Sequence, residues 1–170
     1  DAKTWSSLYR TFVRPHIEYA SSAWIPHQAT HFKTLGSVQR WFTRQVPGIG
    51  NMSYEDREKV CGLESVASRT RRGIAIETFK ITTGISGIRH DIIQPASHQY
   101  ETRGKFAGNF THEKPKKDLR KFSFSSIAPI IWDDVNIETR NASSVNSFKN
   151  SYDRFLQSKD ELLRPRNTLI

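Results

Sequence analysis

The chain has 170 residues, enough for one domain of ordinary size, and a hydrophobic share of 36%, against about 45–50% in self-sufficient globules when glycine is counted. No apolar run is long enough to span a bilayer, no signal peptide is readable, and one cysteine, Cys61, excludes an intramolecular disulfide and any cysteine-based zinc site. The net charge of +9 and a pI near 9.9 point to a polyanionic partner, most simply nucleic acid, the plainer alternative being a basic solvated surface.

Trp5, Leu8, Tyr9, Phe12 and Val13 recur at offsets of three and four, the apolar stripe of a helix. Pro15 lacks the N–H that a helix interior needs and biases Arg14 away from helical backbone, so the chain should kink or restart there. Ile17, Tyr19, Ala20, Ala23 and Trp24 resume an apolar pattern, which Pro26 ends. Residues 27–46 form the clearest helix, with Phe32, Leu35, Val38, Phe42 and Val46 on one side. Lys33, Arg40 and Arg44 gather on roughly the opposite side, and Trp41 falls between the faces. Such a helix packs through one face and offers cations to phosphates, or only to water, through the other. Pro47, Gly48 and Gly50 close it.

Ser53, with Glu55 and Asp56 in the first turn, marks the start of a short helix that ends before Gly62. Ser65 should cap the next, which runs to about Thr82 with Gly84 behind it. Val66, Thr70, Ile74, Thr78 and Ile81 make its inner stripe, with Phe79 beside it; Arg69, Arg72 and Lys80 share an outer face. Gly73 inside this helix costs roughly 1 kcal/mol relative to alanine, or lets another segment approach closely.

Periodicity fails over residues 85–121, where glycines and prolines punctuate an excess of Lys and Arg. A stretch this long without structure is either functional or a linker. Tyr100, Phe106 and Phe110 are interleaved with its cations, a composition that suits stacking on bases. Phe122 and Phe124 alternate with serines as in a short strand. Ser126 is placed to cap a brief helix through Trp132, with Pro129 in its first turn. Ser144 caps the last helix, whose buried stripe is Val145, Phe148, Tyr152, Phe155 and Leu156; residues 159–170 read as a frayed tail. The expected fold is mainly α: a small helical bundle over residues 1–84, a basic loop over 85–121, and an α or α+β segment over 122–158.

Chemistry-bearing motifs are sparse. Trp132-Asp133-Asp134 invites comparison with paired metal-binding carboxylates, but no third acid or strand–turn–strand frame accompanies it, so surface acids are expected. His27 and His31 share a helical spacing without the glutamate of a metalloprotease or a third ligand. No nucleophile elbow or phosphate-binding glycine loop is present. The expectation is no catalytic residue, no metal ligand and no cofactor in this chain.

The wording of residues 8–24, LYRTFVRPHIEYASSAW, resembles the segment after the polymerase core in jockey-like, non-LTR retrotransposon reverse transcriptases. The resemblance continues in order through Val38-Gln39-Arg40-Trp41-Phe42-Thr43-Arg44, Tyr54-Glu55-Asp56-Arg57, Leu63-Glu64-Ser65 and Glu77-Thr78-Phe79-Lys80-Ile81. It returns in Thr102-Arg103-Gly104 and in the run from Asn141 to Lys149, NASSVNSFK. At Asp133, Asp134 and Val135 the chain departs from the family's Trp-Asn-x-Leu-Pro element. The start at Asp1, without methionine, fits a piece of something longer.

The resemblance implies that residues 1–84 correspond to a thumb, a helical bundle that grips the template–primer duplex behind the catalytic centre. Its implied partners are an RNA–DNA or DNA duplex and the palm and fingers of the parent polymerase, whose Mg2+ chemistry lies outside this chain. Phosphate contacts of this kind hold register and carry no sequence information. The residues implied for them are Lys33, Arg40, Arg44, Arg69 and Arg72, with Trp41 as a sugar or base contact. Arg103, Lys105, Lys116, Lys117 and Lys121 are secondary candidates. The alternative class is a truncated element copy that serves as a helical protein-interaction module. An intracellular setting, cytoplasmic or nuclear, is expected in either case.

Overall fold

The computed structural model describes residues 1–24, 29–88, 92–96 and 110–163. The protein is mainly helical: α1 (Ala2–Leu8), a π-helical turn (Tyr9–Val13), α2 (Arg14–Glu18), α3 (Ala29–Arg44), α4 (Tyr54–Cys61) and α5 (Val66–Thr82) come first. They are followed by α6 (Asp118–Lys121), α7 (Phe124–Asp133), α8 (Ile137–Arg140) and α9 (Val145–Leu163). Two compact units result, one of Asp1–Ile74 with Pro115–Phe124, the other of Ala75–Lys114 with Ser125–Ile170. The division falls within α5. No helix among the described residues is long and apolar enough to cross a membrane.

In the first unit, Asp1 caps α1 by accepting from the Thr4 amide at 2.8 Å. Helical backbone then continues to Glu18, with α2 restarting at Arg14 and Pro15 in its first turn, the kink or restart that the sequence led us to expect. The wide turn explains this. The Arg14 amide reaches back five residues to the Tyr9 carbonyl, which accommodates the proline ring at the first turn of α2. The apolar pattern at Tyr19–Trp24 is not helical. Ala20 adopts a left-handed φ of 48°, the chain turns, and the Trp24 indole donates to the Tyr19 carbonyl at 2.6 Å. Pro26 and His27 lie outside the described residues.

Tyr9, Val46, Cys61 and Leu63 are buried together, with Trp5, Val13, Ile17, Phe42 and Ile49 packed against them. Phe42 meets Trp5 edge-on at 5.4 Å and Tyr9 at 5.1 Å between ring centroids. Aromatic pairs of this kind contribute roughly 0.5–1.5 kcal/mol beyond area burial. Ser53 caps α4 as expected, and Gly62 ends it at φ 58°, with Leu63 N–H bonded to the Glu58 carbonyl at 2.9 Å. Helix α5 buries the expected Val66, Thr70, Ile74, Thr78, Ile81 and Phe79. At Gly73 a methyl would lie 3.5 Å from the Ser21 hydroxyl, ordinary contact distance, so the turn after α2 does approach this position.

The second unit is built on stacked rings. Phe148 lies 4.5 Å from Phe79, 6.1 Å from Trp132 and 5.8 Å from Tyr152, all nearly parallel. The irregular stretch is partly tied down here: Thr111 N–H donates to the Gln94 carbonyl at 2.8 Å, and Phe110 packs on Trp132 rather than standing free for a base. Phe122 and Phe124 form no strand; Phe124 opens α7, which begins before Ser126 and buries it. Pro129 consequently sits in the helix interior, where its fully buried ring offsets the missing N–H. Ser144 caps α9, accepting from the Ser147 amide at 3.1 Å, and α9 extends to Leu163, beyond the expected fraying point.

Candidate nucleic-acid interface

The candidate surface depends on which way α3 faces. Counting only apolar residues placed Val38 inward, yet Val38 is 41% exposed and its neighbour Gln39 is 2% exposed. Positions 32, 35, 39, 42, 43 and 46 follow the 3.6-residue period closely, and two of them are polar. Burying Gln39 and Thr43 is tolerable because both are bonded.

Gln39 Oε1 accepts from the Tyr9 hydroxyl at 2.8 Å. Its Nε2 donates to Glu58 Oε1 at 2.8 Å and to the Glu64 carbonyl at 3.0 Å, with the Tyr54 hydroxyl at 3.2 Å. An amide nitrogen has two hydrogens, so the two shorter contacts are the primary ones. Thr43 accepts from Arg57 Nε at 3.3 Å, and Arg57 Nη1 donates to the Met52 carbonyl at 2.7 Å and the Gly50 carbonyl at 3.3 Å. These bonds tie α3 to the π-helical turn, to α4 and to the loops on either side of α4.

The network leaves electrostatic traces. Burial, opposed by Arg14, pushes the Tyr9 hydroxyl up to about 12, and burial together with the Glu58 carboxylate raises Tyr54 from its ordinary value. At the edge of α4, the Ser53 hydroxyl holds Asp56 below the usual carboxylate range.

With Gln39 and Thr43 turned inward, Lys33, Arg40, Trp41 and Arg44 are exposed. The Arg40 guanidinium lies 4.7 Å above the Tyr54 ring, a cation–π contact that holds the side chain against the surface while its charge faces water. Lys33 and Arg44 have no ion-pair partner among the described residues. Trp41 is 64% exposed, further out than its expected border position.

Arg69 has a different role. Its Nε and Nη2 grip both oxygens of Glu18 at 2.9 Å, and Glu64 lies at 4.0 Å. Arg14 shares Glu18 at 3.6 Å; burial and the Arg69 charge lower its pKa, and Glu18 opposes them. Arg10 donates to the Gly62 carbonyl at 2.6 Å. These arginines pin segments together, and the charges of Arg14 and Arg69 meet the Glu18 carboxylate. Arg72 is part-buried, and Lys80 pairs with Glu77 at 3.1 Å. Lys116 and Lys117 are exposed in the same unit as α3; Lys121 is too, with its ammonium 5.6 Å from the Phe122 ring centroid. Arg103, Lys105, Tyr100 and Phe106 lie outside the described residues.

The paired acids are engaged elsewhere. Asp133 bonds His112 at 2.6 Å and faces Arg140 at 3.9 Å, while Asp134 pairs with Lys159 at 3.6 Å. Arg140 also donates to the Val135 carbonyl and covers the Trp132 ring, and its burial lowers its pKa. Among the described residues no three His, Cys, Asp or Glu side chains converge as a metal site. Sequence reasoning missed Gln39, Thr43, Tyr54 and Arg57; the available signal was a polar pair at the best inward helical phase. Comparison with protein-family models, curated proteins and solved structures returns no match.

Proposed function

We propose that the chain is a noncatalytic, nucleic-acid-gripping part of a larger polymerase, in keeping with its resemblance to the region after the core of non-LTR reverse transcriptases. The observation that carries the reading is the exposed face of α3, where Lys33, Arg40 and Arg44 project from a helix that buried bonds hold in register. A row of cations on a rigid helix suits phosphate backbones, which set orientation without specifying sequence. Mg2+ chemistry would belong to the parent's palm. The adjacent acids Asp133 and Asp134 do not suit it, since both answer His112, Arg140 or Lys159. The single buried cysteine suits a reducing, intracellular setting.

The test is fluorescence anisotropy on a labelled RNA–DNA primer–template, at about 50 and 200 mM salt, where phosphate contacts weaken steeply. The double variant Lys33→Gln, Arg44→Gln should bind more weakly and flatten the log–log salt dependence by about one unit for each cation removed. Absence of low-salt binding by a protein that circular dichroism shows to be folded overturns the reading.

A second reading has an observation of its own. Phe12, Tyr19 and Trp24 are exposed on the first unit, as a protein-interaction module requires. It is favoured if association with a palm-and-fingers fragment ignores salt and is lost on substitution of Phe12 or Trp24.

A further inference from the structure

We propose that Trp41 makes the α3 surface a reader of unpaired bases, so that its preferred ligand is a nucleic acid with a single-stranded segment beside the duplex. This rests on the phosphate-gripping reading of α3 and adds the class of strand. Three observations meet at this residue. The indole is 64% exposed, and no aromatic or cation–π contact engages it among the described residues. It lies one helical turn from both Ser37 and Arg44 and next in sequence to Arg40, on the outward side of a helix that Gln39 and Thr43 lock from within. Finally, its cationic neighbours carry charge that faces outward.

That last feature separates Trp41 from the other exposed rings. Beside Phe12 and Tyr19, Arg10 is bonded to the Gly62 carbonyl, and Arg14 and Arg69 share Glu18. The cations there are tied into bonds that fix the fold, whereas Arg44, one turn from the indole, has no ion-pair partner among the described residues. At Trp41 the two halves of a single-strand site coexist: a π face for a base and cations for the phosphates on either side. In a continuous duplex both faces of an internal base are already stacked, so the indole gains nothing there. In an overhang, a frayed end or a single strand, one base face is open.

The measurement compares three labelled probes with the same phosphate count: a blunt duplex, a duplex with a recessed end, and a single strand. Wild type is set against Trp41→Leu and Trp41→Phe, both at an exposed position where the fold does not depend on the indole. Loss of one base–aromatic stack should weaken Trp41→Leu on the recessed and single-stranded probes by roughly tenfold or more. Blunt-duplex binding and the salt slope should stay as in wild type, and Trp41→Phe should retain most of the affinity. Equal loss on all three probes, or no loss on any, overturns the inference while leaving the phosphate reading intact. If Trp41→Leu instead abolishes self-association in sedimentation and leaves every probe unaffected, the indole is a protein contact and the inference fails. Wild type that binds none of the probes defeats the phosphate reading itself.

Discussion

Replacing Gln39 with leucine roughly preserves side-chain volume and removes the amide that holds α3 to three other segments. In the native protein that amide accepts from the buried Tyr9 hydroxyl and donates to Glu58 and the Glu64 carbonyl. Glu58 keeps the nearby Tyr54 hydroxyl as a partner. The Tyr9 hydroxyl and the Glu64 carbonyl do not have so ready a replacement. Each buried group left unsatisfied costs about 1–3 kcal/mol. Against this, burying a leucine side chain contributes about 2 kcal/mol. Together the two groups cost about 2–6 kcal/mol, so the expected net destabilisation is about 0–4 kcal/mol, centred near 2 and a large part of ordinary domain stability. Urea denaturation followed by circular dichroism measures it, with slopes compared to detect separate unfolding of the two units. A double-mutant cycle with Tyr9→Phe isolates the cause. Removing both hydrogen-bonding partners should be less costly than the sum of the single changes, with a coupling of about 1 kcal/mol or more. Strict additivity in the cycle would refute the claim that this network sets the register of α3.

The raised pKa of Tyr9 gives a pH signature of known sign. Its folded form holds the proton up to about 12, whereas an unfolded tyrosine releases it near pH 10. The stabilisation is therefore fully present below pH 10 and is lost as pH rises toward 12, at about 1.4 kcal/mol per pH unit for one proton. Urea midpoints of wild type and Tyr9→Phe should run parallel from pH 8 to about 9.5 and converge above it; parallel curves to pH 11 would contradict the burial argument. At Gly62, alanine would have to adopt φ 58° and place its methyl 3.2 Å from Arg10 Nη2, which itself binds the Gly62 carbonyl. A loss of about 1–2 kcal/mol is expected from the left-handed backbone, and an unchanged thermal midpoint would show that the α4 C-cap relaxes freely.

Much of the helical architecture was legible because it rests on local chemistry. The Ser53, Ser65 and Ser144 caps, the left-handed Gly62, and the α5 stripe from Val66 to Ile81 each follow from spacing and backbone preference within a few residues. The same local rules located the restart at Pro15 and misjudged Pro129, which lies inside α7. A widened turn in one case and burial of the ring in the other offset a missing N–H, and both depend on what surrounds the proline.

The candidate interface divides along the same line. Composition and periodicity alone placed Lys33, Arg40 and Arg44 on one face of a helix, since that needs only a 100° step per residue. Which residues lay opposite them was not a matter of hydrophobic count. Gln39 and Thr43 are buried because Tyr9, Glu58, Glu64 and Arg57, up to 30 positions away in the chain, supply their hydrogen bonds. Likewise Arg69 and Arg40 are both arginines on helices, but the first meets Glu18 and becomes a structural tie, while the second lies over Tyr54 with its charge outward. Sequence determines where a cation can sit on its own helix. Only the tertiary structure decides whether a carboxylate is waiting there, because the partner comes from a distant part of the chain and the burial that sharpens their attraction exists only once the chain has folded.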